Sequence, residues 1–170
     1  ILGWNRKGAA ILTLLAKLNV QERIVVLTEH NLESLRTDLR QNARELRGLR
    51  VIPVQGAIGS SSELRRVASR HASHVLLLAE SNSGAQSDLT TIKALTLLAA
   101  ASEGRAKSAQ LVAEIVGKDN VGIAQVAAKN SHPIVSSSDF ISKTMAQCAR
   151  YPGYSAVYSE LFASGEFVID

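Results

Sequence analysis

The chain has 170 residues, of which 46% are hydrophobic and only 4% aromatic, and its formal net charge is +4. This size and apolar content fit one domain with a core of aliphatic side chains. The single cysteine, Cys148, excludes an intramolecular disulfide, and no apolar run approaches the roughly 20 residues that cross a bilayer. Basic residues are interleaved with 15 acidic ones, so charge predicts no nucleic-acid binding. Because no initiator methionine precedes Ile1, we expect the chain to be cut from a longer protein.

Strand-like and helix-like segments alternate with short connections, which is typical of βαβ units around a parallel sheet. We predict six strands, at residues 1–3, 23–28, 50–54, 74–79, 110–116 and 134–136. Helices are predicted between them at residues 7–18, 31–48, 62–68, 88–102 and 120–129, with Asn31 as a cap. The fold class is therefore α/β, and residues 1–137 form a Rossmann-like lobe with a doubly wound, parallel, six-stranded sheet.

Residues 138–170 follow the completed sheet as a crossover helix-turn-helix arm. Helices are predicted at residues 138–150 and 154–163, a break at Tyr151-Pro152-Gly153 and an extended segment at residues 166–169. Both helices are rich in apolar and aromatic residues, which have to be buried somewhere. A swapped or intertwined homo-oligomer is the preferred interpretation, and packing back onto the chain's own sheet is the alternative.

A glycine turn joins the first strand to the first helix. In the dinucleotide-binding motif G-x-G-x-x-G, the first glycine makes a tight bend, the second lets the backbone approach a pyrophosphate, and the third lets helix and strand pack closely. Gly3 and Gly8 bracket Asn5 here, so one glycine is missing, and Asn5 has a side chain where close approach is needed. The turn indicates either a nucleotide site that has been altered or a turn kept for packing alone.

Three further candidate binding residues follow strands, at the sheet edge where ligands of α/β proteins bind. Glu29 ends the second strand, where a carboxylate accepts hydrogen bonds from an adenosine ribose. An acid at this point repels the extra phosphate of NADP, so NAD or another adenine nucleotide is favoured. Gly56 follows the third strand and Glu80 the fourth, and their position in loops is their only support.

Nothing in the sequence predicts catalysis. The four histidines lack the spacing of metal ligands, so we predict no metal site of the zinc type. No nucleophile motif is present, and a dehydrogenase needs a substrate domain that this chain does not supply. Four arginines at positions 36, 40, 44 and 47 form a predicted stripe on the second helix. We interpret this stripe as a solvated outer face, with lipid headgroups, nucleic acid or an acidic partner as alternatives.

The chain resembles the regulator of potassium conductance domains, and most of all those of the Castor/Pollux type of ion channel. The resemblance rests on the opening ILGWN, on the acid that ends the second strand, on VLLLAE at residues 75–80 followed by QSD at residues 86–88, and on MAQCARYPG at residues 145–153. It covers essentially the whole chain. The opening and the last segment are its most specific parts.

The resemblance implies a gating domain at the cytoplasmic face of a membrane, attached to a transmembrane cation pore of the same protein. In such channels the lobes pair through crossover helices into a ring, and an effector changes the shape of the ring. Some members bind NAD or other nucleotides at the glycine turn, and others respond to calcium through carboxylates. The alternatives are an NAD-binding Trk-type subunit of a potassium transporter and a free nucleotide-dependent enzyme.

Overall fold

A computed structural model describes residues 1–18, 23–80, 84–102 and 109–163. The class is α/β, as the alternation of segments predicts. The strands are β1 (Arg23–Thr28), β2 (Arg50–Gln55), β3 (His74–Leu77), β4 (Gln110–Ile115) and β5 (Ile134–Ser136). The helices are α1 (Arg6–Lys17), α2 (Leu32–Gln41), α3 (Ser61–Arg66), α4 (Gly84–Ser102), α5 (Val121–Ala127), α6 (Ser137–Arg150) and α7 (Tyr154–Ala163), with 3₁₀ turns at Ser69–His71 and Lys118–Asn120.

All the strand pairs are parallel, in two groups rather than in the predicted six-stranded sheet. β1 pairs with β2, and β3, β4 and β5 follow one another in a second group. The predicted first strand at residues 1–3 is wrong as a strand: it contributes only isolated bridges from Leu2 to Leu27 and to Leu77. The strand does not form because Gly3, with a φ of +86°, turns the chain directly after Leu2. Leu2 is therefore the one residue of this segment that pairs with both neighbouring strands.

Two further boundaries differ from the prediction. α2 ends at Gln41 instead of reaching Gly48, because the side chain of Asn42 donates to the carbonyl oxygen of Asp38 at 2.8 Å and ends the helix there. The four arginines therefore do not form one helical stripe, since the last two lie in the turns that follow α2. The cap is confirmed: Asn31 accepts a hydrogen bond from the backbone N–H of Glu33 at 2.9 Å.

Two hydrophobic clusters flank the sheet, which agrees with helices on both faces. Neighbouring residues of β1 point in opposite directions, so Val26 belongs to one cluster and Leu27 to the other. The first cluster includes Leu12 of α1 and Leu35 of α2. The second takes buried residues from α3, α4 and α5 together with β3 and β4.

The C-terminal arm is a hairpin of α6 and α7 linked by Tyr151-Pro152-Gly153, and α6 buries none of its residues. A row of aromatic rings runs along the hairpin, and one pair of them, Phe140 with Phe162, joins α6 to α7. Successive ring centroids lie 5.0 to 6.4 Å apart along the hairpin, in the pairs Tyr151–Tyr154, Tyr154–Tyr158, Tyr158–Phe162 and Phe162–Phe140. The extended segment predicted at residues 166–169 lies outside the described residues. Within the described ranges, no helix combines the length and the apolar character that a membrane span needs.

Candidate functional site

The candidate site lies where the winding of the sheet reverses. Leu2 bridges Leu27 at the end of β1 on one side and Leu77 at the end of β3 on the other. From Leu2 the chain first adds β1 and β2 on one side and then crosses to add β3, β4 and β5 on the other. In open α/β sheets such a switch point leaves a crevice beyond the carboxyl ends of the strands, where ligands bind. This crevice is bordered by the turns that follow Leu2, β1 and β3.

The turn after Leu2 needs glycine at its first position, and α1 needs glycine one turn later. A Cβ on Gly3 would lie 2.1 Å from the carbonyl oxygen of Leu78, and its φ of +86° is strained for any other residue. A Cβ on Gly8 would lie 2.6 Å from the indole ring of Trp4. Gly8 therefore allows α1 to pack on Trp4, which matches the packing role of the third glycine in the motif.

Asn5, which replaces the glycine that approaches a pyrophosphate, caps α1 with its own side chain. Its Oδ1 accepts from the backbone N–H of Lys7 at 2.8 Å, and its Nδ2 donates to the carbonyl oxygen of Ala79 at 2.6 Å. The backbone N–H of Gly8 donates to the carbonyl oxygen of Asn5 at 2.9 Å. Two amides that would hold a phosphate at the start of α1 are thus already bonded within the chain.

Sequence reasoning missed Glu114, the buried carboxylate beneath this turn. Its side chain is 8% exposed and forms an ion pair with the amine of Lys7. The second carboxylate oxygen accepts from Nδ2 of Asn5 at 3.2 Å and from the backbone N–H of Ala79 at 3.3 Å. Glu114 therefore ties the start of α1 to the end of β3. The signal available in the sequence was an acid inside the apolar strand β4.

Glu80 crosses the crevice from the other side. Its Oε1 accepts from the hydroxyl of Thr28 and from the backbone N–H of Glu29, each at 2.9 Å. Burial raises the pKa of Glu80 above its ordinary value, and the nearby charge of Glu29 acts in the same direction. The two hydrogen bonds and the neighbouring His30 favour the carboxylate and oppose this rise in pKa.

The other two predicted residues lie beside this crevice. Glu29 directly follows β1, where the prediction located it, and its side chain is exposed. Gly56 follows β2 and donates its backbone N–H to the carbonyl oxygen of Thr28 at 2.9 Å. A Cβ on Gly56 would lie 2.2 Å from a carboxylate oxygen of Glu63, which is paired with Arg66. The close contact of Gly56 is thus with an internal ion pair.

A second buried acid, Asp88, was not among the predicted site residues. It accepts from the backbone N–H groups of Val116 at 2.8 Å and Gly117 at 2.9 Å, and from Nδ2 of Asn120 at 2.8 Å. These bonds fix the loop after β4 at the same edge of the sheet. In the part of the chain that the structure describes, no three His, Cys, Asp or Glu side chains come together as a metal-binding group.

The crevice brings hydrogen-bonding groups from three neighbouring chain segments together. Asn5, Lys7 and Glu80 are engaged in bonds within the chain. The side chain of Glu29 is exposed. A dinucleotide at this turn has to displace the Asn5 side chain from the backbone of Lys7, since both would use the same amide.

Comparison with known proteins identifies relatives along the whole chain, although no family model matches it. The chain is 27% identical to the probable ion channel CASTOR of Oryza sativa subsp. japonica over 99% of its own length and 19% of the relative. It is 28% identical to the ion channel CASTOR of Lotus japonicus, again over 99% of the chain and 20% of the relative. Identity to the probable ion channel POLLUX of Arabidopsis thaliana is also 28%, over 99% of the chain and 21% of the relative.

The chain is homologous to Castor/Pollux-type ion channels. The resemblance to Castor/Pollux-type channels is thereby confirmed over 99% of the chain. The chain spans about a fifth of the length of these curated relatives.

Proposed function

We propose that this chain is the cytosolic, ligand-sensing gating domain of a potassium-type cation channel, and that it couples effector binding to opening of the pore. The observation that carries the proposal is similarity over 99% of the chain to proteins named ion channels. Because the chain corresponds to about a fifth of each relative, the pore belongs to another part of the same protein. The domain then lies at the cytoplasmic face of the membrane and has no catalytic activity.

The crevice at the switch point is the effector site in this proposal. An effector there contacts the turns after Leu2, β1 and β3, which Glu80 and Asn5 already join by hydrogen bonds. It shifts the channel between closed and open states by no more than its difference in affinity for the two. NAD, another adenine nucleotide and calcium are the candidate effectors. The bonded side chain of Asn5 favours weak binding of dinucleotides.

Subunits associate through the C-terminal hairpin in this proposal. Met145 is 68% exposed, Val157 63% and Phe162 59%, so both helices present large apolar side chains to solvent in the single chain. Burying a side chain of this size contributes about 1.5–3 kcal/mol. A homo-oligomer that covers this surface also gives the hairpin a rigid connection through which one lobe moves its neighbour.

The test is a current recording from the complete gene product that contains this sequence, reconstituted in planar bilayers. We expect cation currents whose open probability changes when calcium, NAD or ATP is added at the side of the domain. Glu80→Ala is expected to shift the effector concentration for half-maximal response, whereas Glu33→Ala, at an exposed surface pair, serves as the matched control. Absence of currents, or currents that ignore all three effectors, would contradict the proposal.

The alternative is an NAD-binding Trk-type regulatory subunit of a potassium transporter, and Glu29 at the end of β1 is the observation that favours it. Calorimetric titration distinguishes the two. The alternative would be established by two results together: NAD binds tightly and Glu29→Ala abolishes this binding, and the complete gene product has no apolar stretches of about 20 residues.

A further inference from the structure

Exposed cations gather at one edge of the sheet. At the carboxyl ends of the strands, Lys7 is paired with Glu114 and Arg66 with Glu63. At the opposite edge, where the strands begin, the first residue of β1 is Arg23 and the first residue of β2 is Arg50. These two arginines are partners in the parallel register, so their backbones lie about 5 Å apart.

Further cations reach the same edge from the connecting segments. We define the basic edge as Lys17, Arg23, Arg47, Arg50 and Arg70, all exposed. Lys17 lies in the last turn of α1, which runs antiparallel to the strands. Arg47 precedes β2 by three residues, and Arg70 belongs to the 3₁₀ turn before β3.

The cations of the basic edge have no internal partner among the described residues. In residues 1–18, 23–80, 84–102 and 109–163, no carboxylate lies within ion-pair distance of any of the five. The acid nearest to Arg47 in sequence is Glu45, and its carboxylate accepts instead from the hydroxyl of Thr13 on α1 at 3.2 Å. Among the described residues, no ion pair neutralises these five cations, and a basic surface of this kind attracts anions.

An exposed apolar side chain accompanies these cations. Leu18 directly follows α1 and is 53% exposed, and Leu14, one turn earlier, is 52% exposed. Leucines beside lysine and arginine are typical of surfaces that lie at a membrane interface, where the cations contact headgroups and the apolar groups enter the acyl boundary. The described part of this edge has no aromatic residues, since Trp4 is buried and Tyr151–Tyr158 belong to the hairpin. Single-stranded nucleic acids bind by stacking their bases on aromatic side chains, so this surface fits them less well than it fits lipid headgroups.

We infer that the basic edge, with Leu18 beside it, is a docking surface for anionic phospholipid headgroups and turns this side of the sheet toward the membrane. The choice of a lipid surface over other anions rests on the proposed function, which holds the domain close to a bilayer. The acidic crevice at the opposite edge then faces away from the membrane, where a soluble effector reaches it.

Sedimentation of the 170-residue chain with lipid vesicles tests this inference without any measurement of conductance. We expect binding to phosphatidylcholine vesicles that contain about 30 mol% phosphatidylserine, weak binding to pure phosphatidylcholine, and loss of binding as salt rises above about 0.1 M. Arg23→Gln with Arg50→Gln is expected to weaken binding about 25-fold, since each surface arginine contributes about fivefold. Leu18→Ser is expected to weaken it further.

The matched control replaces two exposed cations away from this edge, Arg65→Gln with Lys118→Gln, and so has the same net charge as the Arg23 and Arg50 double variant. Binding that stays within about twofold of the wild type in this control supports a local surface. Equal losses in the two double variants, or equal binding to neutral and anionic vesicles, would overturn the inference. Tighter binding to a single-stranded RNA than to the anionic vesicles, abolished by the Arg23 and Arg50 substitutions, would also overturn it. None of these outcomes bears on channel gating, so the proposed function stands or falls separately.

Discussion

Replacing Lys7 by methionine is expected to lower the free energy of unfolding by about 2 kcal/mol, because Glu114 then keeps a buried charge without its cation. Two opposite charges about 4 Å apart attract each other by about 4 kcal/mol at an effective dielectric constant of about 20. The Lys7 side chain is 43% exposed and that of Glu114 only 8%, so we discount this attraction by roughly half for solvent screening. Methionine retains an unbranched apolar stem, which leaves the packing little changed.

Urea denaturation measures this loss, with the fluorescence of Trp4, the only tryptophan, and circular dichroism as two independent probes. Lys143→Met is the matched control, since its pair with Asp139 is 75% and 38% exposed and is expected to contribute less than about 0.5 kcal/mol. Adding Glu114→Gln to the Lys7 variant removes the unpaired charge and is expected to restore most of the stability. A Lys7 variant as stable as the control, or no recovery in the double variant, would refute this reasoning.

Three more predictions concern the pKa of Glu80, the packing of α1 and the hairpin. Because burial raises the pKa of Glu80 in the folded chain, its contribution to stability is present at low pH and is lost as pH rises above the ordinary value of 4.5. Glu80→Gln, which cannot ionise, should therefore gain stability relative to the wild type as pH rises from 4.5 in urea titrations. Gly8→Ala should lower the free energy of unfolding by about 1–3 kcal/mol, because the added Cβ clashes with Trp4. Gly122→Ala in α5 is the control: its Cβ meets open space, so the free energy of unfolding should rise by about 0.5–1 kcal/mol. Equal effects of the two substitutions in thermal melts would contradict this prediction. Met145→Asp places a charge on the exposed apolar face of the hairpin and should weaken self-association at least about tenfold in sedimentation velocity, with no change in the melting temperature of the monomer. A wild-type chain that stays monomeric at high concentration would contradict the proposed homo-oligomer.

Local patterns in the sequence predicted the elements of this fold well. The bounds of β1 and β5 agree with the apolar runs at residues 23–28 and 134–136, and Asn31 caps α2 as its position indicates. Such features depend on residues close to one another in the chain. The class α/β follows from their alternation.

Features that depend on distant contacts were beyond sequence reasoning. β3 ends at Leu77 rather than at Ala79 because the backbone N–H and carbonyl oxygen of Ala79 bond to the side chains of Glu114 and Asn5 instead of to a neighbouring strand. The partner of Lys7, Glu114, lies 107 residues away in the sequence. No period or spacing connects positions so far apart. The candidate residues at the crevice were named from strand ends alone, and the carboxylate that joins α1 to β3 beneath them was therefore missed.

The open packing of α6 has a consequence for hydrogen exchange. Since α6 buries none of its residues, its backbone amides in a single chain are protected only by the helix itself and by the aromatic contacts with α7. The amides of β1 and β4 lie in the core and open only with the whole domain. Exchange of the hairpin amides should therefore be fast in the isolated chain and slow once a partner covers the helix. This difference in protection gives a direct, residue-resolved measure of assembly in solution.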